Sequence, residues 1–224
     1  MSVRAAVFDL DGTLIHTEPR NRLVWSRLFE INGVPYDDTH ISAFTGRRGH
    51  EVLGEFLHLF PGRTVEDLFD EAIAFERHPD YPEAEPVPGA VELVTGLHRD
   101  GVPIGLVTSG NLRYASGLLD ELGIAGLFDV MVTAEDVTVG KPDPEGFLAA
   151  SRALGVDPSN AAAFEDAPAG VAAAKSAGYA VVVGVATSQP PDVLAAADLV
   201  VADLTEVNWP LKLNGGLDCG SDSA

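Results

Sequence analysis

Two aspartates separated by a single residue follow an apolar stretch near the start of the chain. Residues 3–8 carry one charge, Arg4, and lead directly into Asp9-Leu10-Asp11-Gly12-Thr13. In an extended segment the side chains at i and i+2 point the same way, so the two carboxylates would face one site and repel each other. A divalent cation commonly relieves such repulsion, although two acids can also simply cap the next element. The spacing therefore indicates a candidate site at the end of a buried strand.

The elements that would position this site follow from the pattern of the sequence after residue 89. Apolar stretches typical of buried strands alternate with stretches of helical periodicity, which predicts an α/β fold with a Rossmann-like doubly wound parallel sheet. Helices flank both faces of such a sheet, and ligands bind beyond the carboxyl ends of its strands. We expect helices at 90–99, 112–122, 144–154, 170–177 and 192–197, and strands at 102–107, 130–133, 161–164, 180–185 and 199–201.

A block of helical periodicity separates the first strand from the rest of the sheet. Thr17-Glu18-Pro19 resembles a helix start, Thr64 is a candidate N-cap, and the proline-rich residues 79–88 resemble a hinge. Helices are expected here from residue 18 and at 38–44, 49–60 and 65–78. We therefore predict a core domain formed by 1–15 and 86–210, an all-helical cap domain over 16–85, and a disordered tail over 211–224.

Polar groups also stand at the ends of other predicted strands. Thr108-Ser109-Gly110-Asn111 follows the strand at 102–107, Lys141 precedes a helix that begins with proline, and Glu165-Asp166 follows the strand at 161–164. Taken singly, each has an ordinary explanation as a helix cap, a solvated lysine or a turn. Gathered at one edge of a sheet, small hydrogen-bond donors, an ammonium group and acids would suit an oxyanion and a metal ion.

These four motifs, in this order and at this spacing, resemble those of the haloacid dehalogenase (HAD) superfamily. The resemblance covers residues 1 to about 205, and the helical block matches the small helical cap of that superfamily. Gly-Lys-Pro-Asp-Pro at 140–144 and Glu-Asp-Ala-Pro-Ala-Gly-Val at 165–171 are similar to the branch with glycerol-phosphate and deoxyhexose-phosphate phosphatases.

The resemblance implies a covalent mechanism for the first motif. Asp9 would attack phosphorus to form an aspartyl-phosphate, and Asp11 would protonate the departing alkoxide and then take a proton from water. Dehalogenases of the superfamily lack the second acid, so Asp11 favours phosphoryl transfer. Mg²⁺ would bind the Asp9 carboxylate, the Asp11 backbone carbonyl and Asp166. Glu165 would reach the metal directly or through water.

The resemblance also implies a cradle for the phosphoryl group. Thr108 and Lys141 would hold the phosphoryl oxygens, and backbone N–H groups near Asp11 and Ser109 would assist. Ser109 and Gly110 are therefore candidate substrate-binding residues. Asn111 would either cap the following helix or contact phosphate.

The cap would set substrate specificity through the side chains that face the site. Arg47 or Arg48 would contact a substrate hydroxyl or a second phosphate, unless both belong to a basic surface loop. His16 and Glu18 lie where the cap leaves the core and would touch the leaving group, although a surface position in the linker is the alternative for His16. Closure of the cap would exclude water during attack.

Composition limits the partners of the chain. Its formal net charge of −20 opposes binding to nucleic acid and to anionic membranes, and no apolar run approaches the about 20 residues of a membrane helix. Cys219 is the only cysteine, which excludes an intrachain disulfide. We expect a cytoplasmic monomer that acts on a small phosphorylated metabolite.

The leading functional hypothesis is a Mg²⁺-dependent phosphatase for a small sugar or polyol monophosphate. The alternative is a β-phosphoglucomutase-type phosphotransferase, which shares the core motifs and a helical cap. Asn21 stands where the mutase has a cap histidine, and Gly49 where it has a cap-loop arginine, which favours hydrolysis. A non-catalytic binding protein would be expected to lack Asp9 or Asp11, and the glycine motifs of nucleotide-binding modules are missing.

Overall fold

The computed structural model describes residues 3–75 and 80–211 of the 224-residue chain. Its strands are β1 (Ala5–Phe8), β2 (Ile15–His16), β3 (Glu85–Pro86), β4 (Ile104–Val107), β5 (Val130–Val132), β6 (Ala161–Glu165), β7 (Val181–Val185) and β8 (Leu199–Val201). Its α-helices are α1 (Glu18–Ile31), α2 (Asp38–Ser42), α3 (Gly49–Phe56), α4 (Val65–Phe75), α5 (Ala90–Arg99), α6 (Leu112–Glu121), α7 (Glu145–Leu154) and α8 (Pro168–Ser176).

A six-stranded parallel sheet forms the core, in the order β5-β4-β1-β6-β7-β8. This confirms the predicted α/β architecture. Within it, Ala6 of β1 pairs with Ile104 of β4 on one side and with Ala162 of β6 on the other. The chain adds β4 and β5 on one side of β1 and then crosses over to add β6, β7 and β8 on the other. The direction of winding therefore reverses at β1, where α/β proteins form their binding crevice.

Strand β1 is apolar throughout because helices cover both faces of the sheet. On one face Phe8 and Phe164 stack with ring centroids 4.5 Å apart and pack with α5 and α6. On the opposite face Val7 and Ala163 pack with α7 and α8. Successive side chains of a strand point to opposite faces, so each residue of β1 enters one of the two apolar clusters. Charged groups can then be tolerated only beyond the end of the strand.

Helices α1–α4 form the inserted cap, which has an apolar cluster of its own. Leu28, Leu53 and Leu68 are fully buried in it. Thr64 accepts a hydrogen bond from the Asp67 N–H at 3.1 Å, which confirms the predicted N-cap of α4. The cap thus packs around its own centre rather than extending the core of the sheet.

The chain enters and leaves the cap through a two-stranded antiparallel ribbon that the sequence did not predict. Ile15 of β2 pairs with Pro86 of β3, and His16 pairs with Glu85. The ribbon escapes detection in the sequence because two residues are too few for an alternating pattern, and because proline argues against a strand. The predicted domain boundaries at 15/16 and 85/86 fall inside this ribbon and stay a prediction.

The C-terminal part differs from expectation in two places. The helix predicted at 192–197 is a 3₁₀ turn at Pro191–Leu194, and Leu211, the predicted start of the tail, is buried against the core. Residues 76–78 of a predicted cap helix and 212–224 of the predicted tail lie outside the described residues. Within 3–75 and 80–211, no helix is both long and apolar enough to cross a membrane.

The first turn of α8 packs directly against the carboxylate of Glu165. A Cβ at Gly170 would lie 2.0 Å from Glu165 Oε2. Glu165 is fully buried and ion-paired with Lys141, so its carboxylate cannot swing into solvent to make room. Glycine at position 170 therefore permits the close approach of helix and acid.

Replacement of Gly170 by alanine should lower the free energy of unfolding by about 1–3 kcal/mol, because the new methyl group displaces a buried, paired carboxylate. Gly96→Ala is the matched control: its Cβ would point into open space on α5, and helix propensity should raise the same free energy by up to about 1 kcal/mol. Urea unfolding followed by circular dichroism measures both. Equal shifts in the two variants would contradict a constraint at Gly170.

Candidate active site

The acids of the predicted site and Thr108 lie at the carboxyl ends of β1, β4 and β6, which are neighbours in the sheet. Asp9 and Asp11 follow β1, Thr108 follows β4, and Glu165 ends β6 with Asp166 directly after it. Because the three strands are parallel and adjacent, their ends bring together residues that are far apart in the chain.

Lys141 is buried between two carboxylates. Its Nζ lies 2.5 Å from Asp9 Oδ1 and 2.6 Å from Glu165 Oε1, and it donates a hydrogen bond to the Val107 carbonyl at 3.1 Å. Burial alone would lower the pKa of Lys141, but Asp9 and Glu165 outweigh it and raise that pKa above its usual value. The ammonium group is therefore charged and holds Asp9 at the end of β1.

Three buried acids form a cluster that suits a cation. Asp9, Glu165 and Asp166 each place one carboxylate oxygen within 4.8 Å of the others. Burial raises the pKa of all three, that of Glu165 to about 8. Among the described residues no group donates a hydrogen bond to Glu165 Oε2 or to Asp166 Oδ1, although both atoms are buried. Buried carboxylate oxygens without donors fit a hard divalent cation such as Mg²⁺.

Gly12 allows the acids to come this close. Its φ is +79°, and a Cβ there would lie 2.0 Å from Asp166 Oδ2. Only glycine combines this backbone conformation with so close a neighbour. The glycine of the first motif therefore makes room for an acid of the last.

The segment after β4 supplies the small polar groups that were predicted to cradle a phosphoryl group. Thr108 is buried, and its Oγ1 accepts a hydrogen bond from the Gly110 N–H at 3.0 Å. Ser109 Oγ donates to the carbonyl of Gly46 in the cap at 3.2 Å. Ser109 thus contacts the cap, and the contact of Thr108, Ser109 and Gly110 with phosphate stays a prediction.

Asp11 is surrounded by donors that lie outside its motif. Its Oδ1 accepts hydrogen bonds from Thr17 Oγ1 and Tyr114 Oη, both at 2.5 Å, and from Asn21 Nδ2 at 3.4 Å. Tyr114 is not among the residues that the sequence predicts for the site. The candidate cap Asn111 indicates only that Tyr114 lies in the first turn of α6, and the structure shows the Asn111 side chain accepting from the Tyr114 N–H at 2.9 Å. The capping role of Asn111 is confirmed, and its contact with phosphate stays a prediction.

A cavity of about 930 Å³ lies between cap and core. Asp9, Asp11 and Asp166 line it from the core. Its volume is near the upper end of the about 300–1,000 Å³ that is typical of sites for drug-sized ligands. The cap contributes polar and aromatic side chains to it, among them Glu18, Arg20, Asn21, Arg47, Trp25 and Phe69.

Arg48 and Glu51 fasten the cap to the core, and we call this pair the clasp. Arg48 donates hydrogen bonds to three carbonyl groups within residues 134–138, at 2.5, 2.7 and 3.3 Å. Glu51 Oε1 accepts from the Gly140 N–H at 2.9 Å. Since Lys141 follows Gly140, the clasp holds the loop that carries the buried ammonium group. A contact of Arg48 with substrate stays a prediction.

The other predicted cap residues also have partners of their own. Arg47 pairs with Glu55 at 2.5 Å within the cap. Glu18 begins α1 and accepts from Thr45 Oγ1 at 2.9 Å, and burial raises its pKa. His16 lies in β2 and, within the described chain, is not among the residues that line the cavity. Contacts of these side chains with a substrate stay predictions.

The two aspartates of the first motif therefore have different surroundings. Asp9 lies among the acids and Lys141, whereas Asp11 lies among hydroxyl groups at the border with the cap. Such a pair can attack an electrophile with one carboxylate and transfer protons with the other.

When a chelator keeps the protein free of metal, its free energy of unfolding should fall as pH rises from about 5 to about 8. Glu165 has a pKa of about 8 in the metal-free fold and near 4.5 when unfolded, so the fold binds this proton more tightly and loses that advantage as pH rises. Mg²⁺ should offset the loss, because it binds the ionised acids of the folded state. Urea unfolding at both pH values measures this, and Glu165→Gln should flatten the dependence. A free energy of unfolding of the metal-free protein that rose between these pH values would contradict the raised pKa of Glu165.

Glu51→Ala should speed hydrogen–deuterium exchange at the Gly140 amide by up to about tenfold, because that amide loses its acceptor. Glu55→Ala is the matched control on the same helix, since Glu55 pairs with Arg47 inside the cap. Mass spectrometry of the peptide that contains Gly140 provides the measurement. The same exchange rate in both variants would show that the clasp does not hold this loop.

Comparison with known proteins bears on the identity of the chain. Residues 3–178 match a hydrolase family described as haloacid dehalogenase-like hydrolase. The chain is 49% identical over 207 residues to validoxylamine A 7'-phosphate phosphatase from Streptomyces hygroscopicus subsp. limoneus, a match that covers 92% of this chain and 97% of that protein. It is 32% identical to hexitol phosphatase A from Escherichia coli, over 96% of this chain and 98% of that protein.

A solved structure is similar over the same extent. The crystal structure of β-phosphoglucomutase from Clostridium difficile aligns with a TM-score of 0.79 and 26% sequence identity, over 92% of this chain and 94% of that chain. The family match includes all four motifs, and the structural match includes both the cap and the sheet. The chain therefore belongs to the haloacid dehalogenase-like hydrolases, as its motifs predicted.

Proposed function

We propose that this phosphatase hydrolyses the monophosphate ester of a small sugar or polyol, with Mg²⁺ as cofactor and an aspartyl-phosphate as intermediate. Family membership and the similarity to validoxylamine A 7'-phosphate phosphatase and hexitol phosphatase A support the reaction class. The observation that carries the proposal is the contrast between Asp9, paired with Lys141 among buried acids, and Asp11, turned towards the hydroxyl groups of Thr17 and Tyr114.

The two carboxylates divide the chemistry between them. In the first step an oxygen of Asp9 attacks phosphorus while the bond to the ester oxygen breaks, and Asp11 donates a proton to that oxygen. In the second step a water molecule attacks the aspartyl-phosphate and gives a proton to Asp11, which releases phosphate and restores Asp9. Lys141 and Thr108 would bind phosphoryl oxygens as their charge redistributes.

The buried acids would hold the metal ion. Asp9, Asp166 and Glu165 supply carboxylate oxygens, and the backbone carbonyl of Asp11 is the further ligand that the sequence predicts. A bound Mg²⁺ would neutralise negative charge on the phosphoryl oxygens. The unsatisfied oxygens of Glu165 and Asp166 support this assignment.

The cavity supports a polar substrate that extends from the core into the cap. Charged and amide side chains of α1 face it, including Arg20 and Asn21, and Trp25 adds an aromatic surface. The names of the two relatives refer to the phosphates of validoxylamine A and of hexitols. Both names refer to phosphate esters of hydroxylated compounds. The assay described next would identify the ester that this chain hydrolyses. A cytoplasmic location and a monomeric state stay predictions.

Phosphate release from a panel of sugar and polyol monophosphates, with Mg²⁺ and with excess chelator, tests the proposal. The panel includes hexitol phosphates and validoxylamine A 7'-phosphate. We expect Mg²⁺-dependent release from a few members, and its loss in Asp9→Asn, which lacks the nucleophile. Asp100→Asn, a surface acid paired with Arg99, should retain full activity.

The same assay separates hydrolysis from phosphoryl transfer. β-Glucose 1-phosphate with a trace of its bisphosphate belongs in the panel, with glucose 6-phosphate followed separately. Formation of glucose 6-phosphate with little free phosphate would support the mutase alternative over hydrolysis. No turnover of any ester, with Mg²⁺ present, would refute both.

A further inference from the structure

We propose that Tyr114, held by Arg20, is a positioning residue for the Asp11 carboxylate during proton transfer to the leaving group. This inference rests on the proposed function, because it concerns the acid–base step of that reaction. A chain of hydrogen bonds carries it, from Arg20 in the cap to Tyr114 in the core and on to Asp11. All three residues line the cavity.

The hydrogen bonds to Asp11 converge on one of its two oxygens. Tyr114 Oη and Thr17 Oγ1 both lie 2.5 Å from Oδ1, and Asn21 Nδ2 lies 3.4 Å from it. Two short bonds occupy the lone pairs that a carboxyl oxygen offers. Within the described chain no group donates to Oδ2. Oδ2 is therefore the oxygen that carries the proton to and from the reacting groups.

The start of α6 fixes the direction in which Tyr114 points. Asn111 caps the helix on the Tyr114 N–H at 2.9 Å. Gly110 leaves room for the ring, since a Cβ there would lie 2.7 Å from Tyr114 Cδ1. The phenol hydroxyl is thus aimed by backbone features a few residues before it in the chain. Gly110, a predicted substrate-binding residue, and Asn111, predicted to cap the helix or to contact phosphate, thus orient Tyr114.

Arg20 in the cap is the last residue in this chain of hydrogen bonds. Its Nη2 donates to Tyr114 Oη at 3.3 Å, and its guanidinium carbon lies 6.0 Å from the centre of the ring. Among the described residues Arg20 forms no ion pair, and its Nε is buried without a hydrogen-bond acceptor. The positive charge therefore acts on the phenol oxygen, and a donor to that oxygen strengthens the O–H of Tyr114 as a donor towards Asp11.

The step that this arrangement assists depends on the leaving group. Protonated Asp11 gives its proton from Oδ2 to the ester oxygen while the bond from that oxygen to phosphorus breaks and the bond from Asp9 to phosphorus forms. If the carboxylate were rotated, a strongly basic alkoxide would have to leave without a proton. 4-Nitrophenolate is weakly basic and leaves readily in that form. Dependence on the leaving group therefore separates a positioning role from a purely structural one.

The test compares kcat/KM of the wild-type protein and Tyr114→Phe, with Mg²⁺, for sorbitol 6-phosphate, phenyl phosphate and 4-nitrophenyl phosphate. This constant covers the steps up to release of the leaving group, so the later hydrolysis of the aspartyl-phosphate does not affect it. We expect a loss of about tenfold or more for the first two esters and of less than about twofold for the third. Arg20→Gln should act in the same direction with a smaller effect.

Tyr36→Phe serves as the control, because Tyr36 is an exposed cap residue bonded to Glu30 and should not alter any of the three constants. Equal losses for all three esters in Tyr114→Phe, or no loss in an active protein, would overturn the role of Tyr114 alone. Faster hydrolysis of sorbitol 6-phosphate would also overturn it, since the hydroxyl would then hold Asp11 away from the leaving group. A wild-type protein that released phosphate from no ester would refute the proposed function together with this role.

Discussion

The buried contact of Lys141 with Asp9 and Glu165 is the interaction on which the site depends. Three desolvated acids within 4.8 Å of one another would repel strongly, and one ammonium group inserted between two of them makes the arrangement tolerable. Removal of one partner from a buried ion pair typically costs about 3–5 kcal/mol, because a charge is left without compensation. Lys141 reaches this position only because β4, β1 and β6 are neighbours and because the loop after β5 turns back over them.

The same constraint explains why the three buried acids suit a metal ion. One ammonium group leaves Glu165 Oε2 and Asp166 Oδ1 buried and unsatisfied, and burial keeps the pKa of these acids high. The protein alone thus leaves these acids without full electrostatic compensation, and a small cation that takes oxygen ligands would supply it. Asp11 stands outside this cluster, which leaves its carboxyl group available for proton transfer.

The sequence predicted the sheet and the core motifs because both depend on local signals. An apolar run such as 3–8 and a pair of acids such as Asp9 and Asp11 can be recognised without knowing which residues lie near them in the fold. Tyr114 was not predicted, because its role depends on a contact with Asp11 across 103 positions of the chain. The clasp was missed for the same reason: the carbonyl groups that Arg48 binds have no side-chain signature at all.

The connection between cap and core has a consequence for turnover. The cap joins the core covalently through the β2–β3 ribbon and non-covalently through contacts that include the clasp, and the cavity lies between cap and core. A motion that separates the cap from the core would have to break the clasp, which includes the bond between Glu51 and the amide of Gly140 next to Lys141. Each such opening would therefore also loosen the loop that carries Lys141. Binding of the phosphoryl group by Lys141 would then weaken when the cavity opens to solvent, which would favour rapid release of inorganic phosphate.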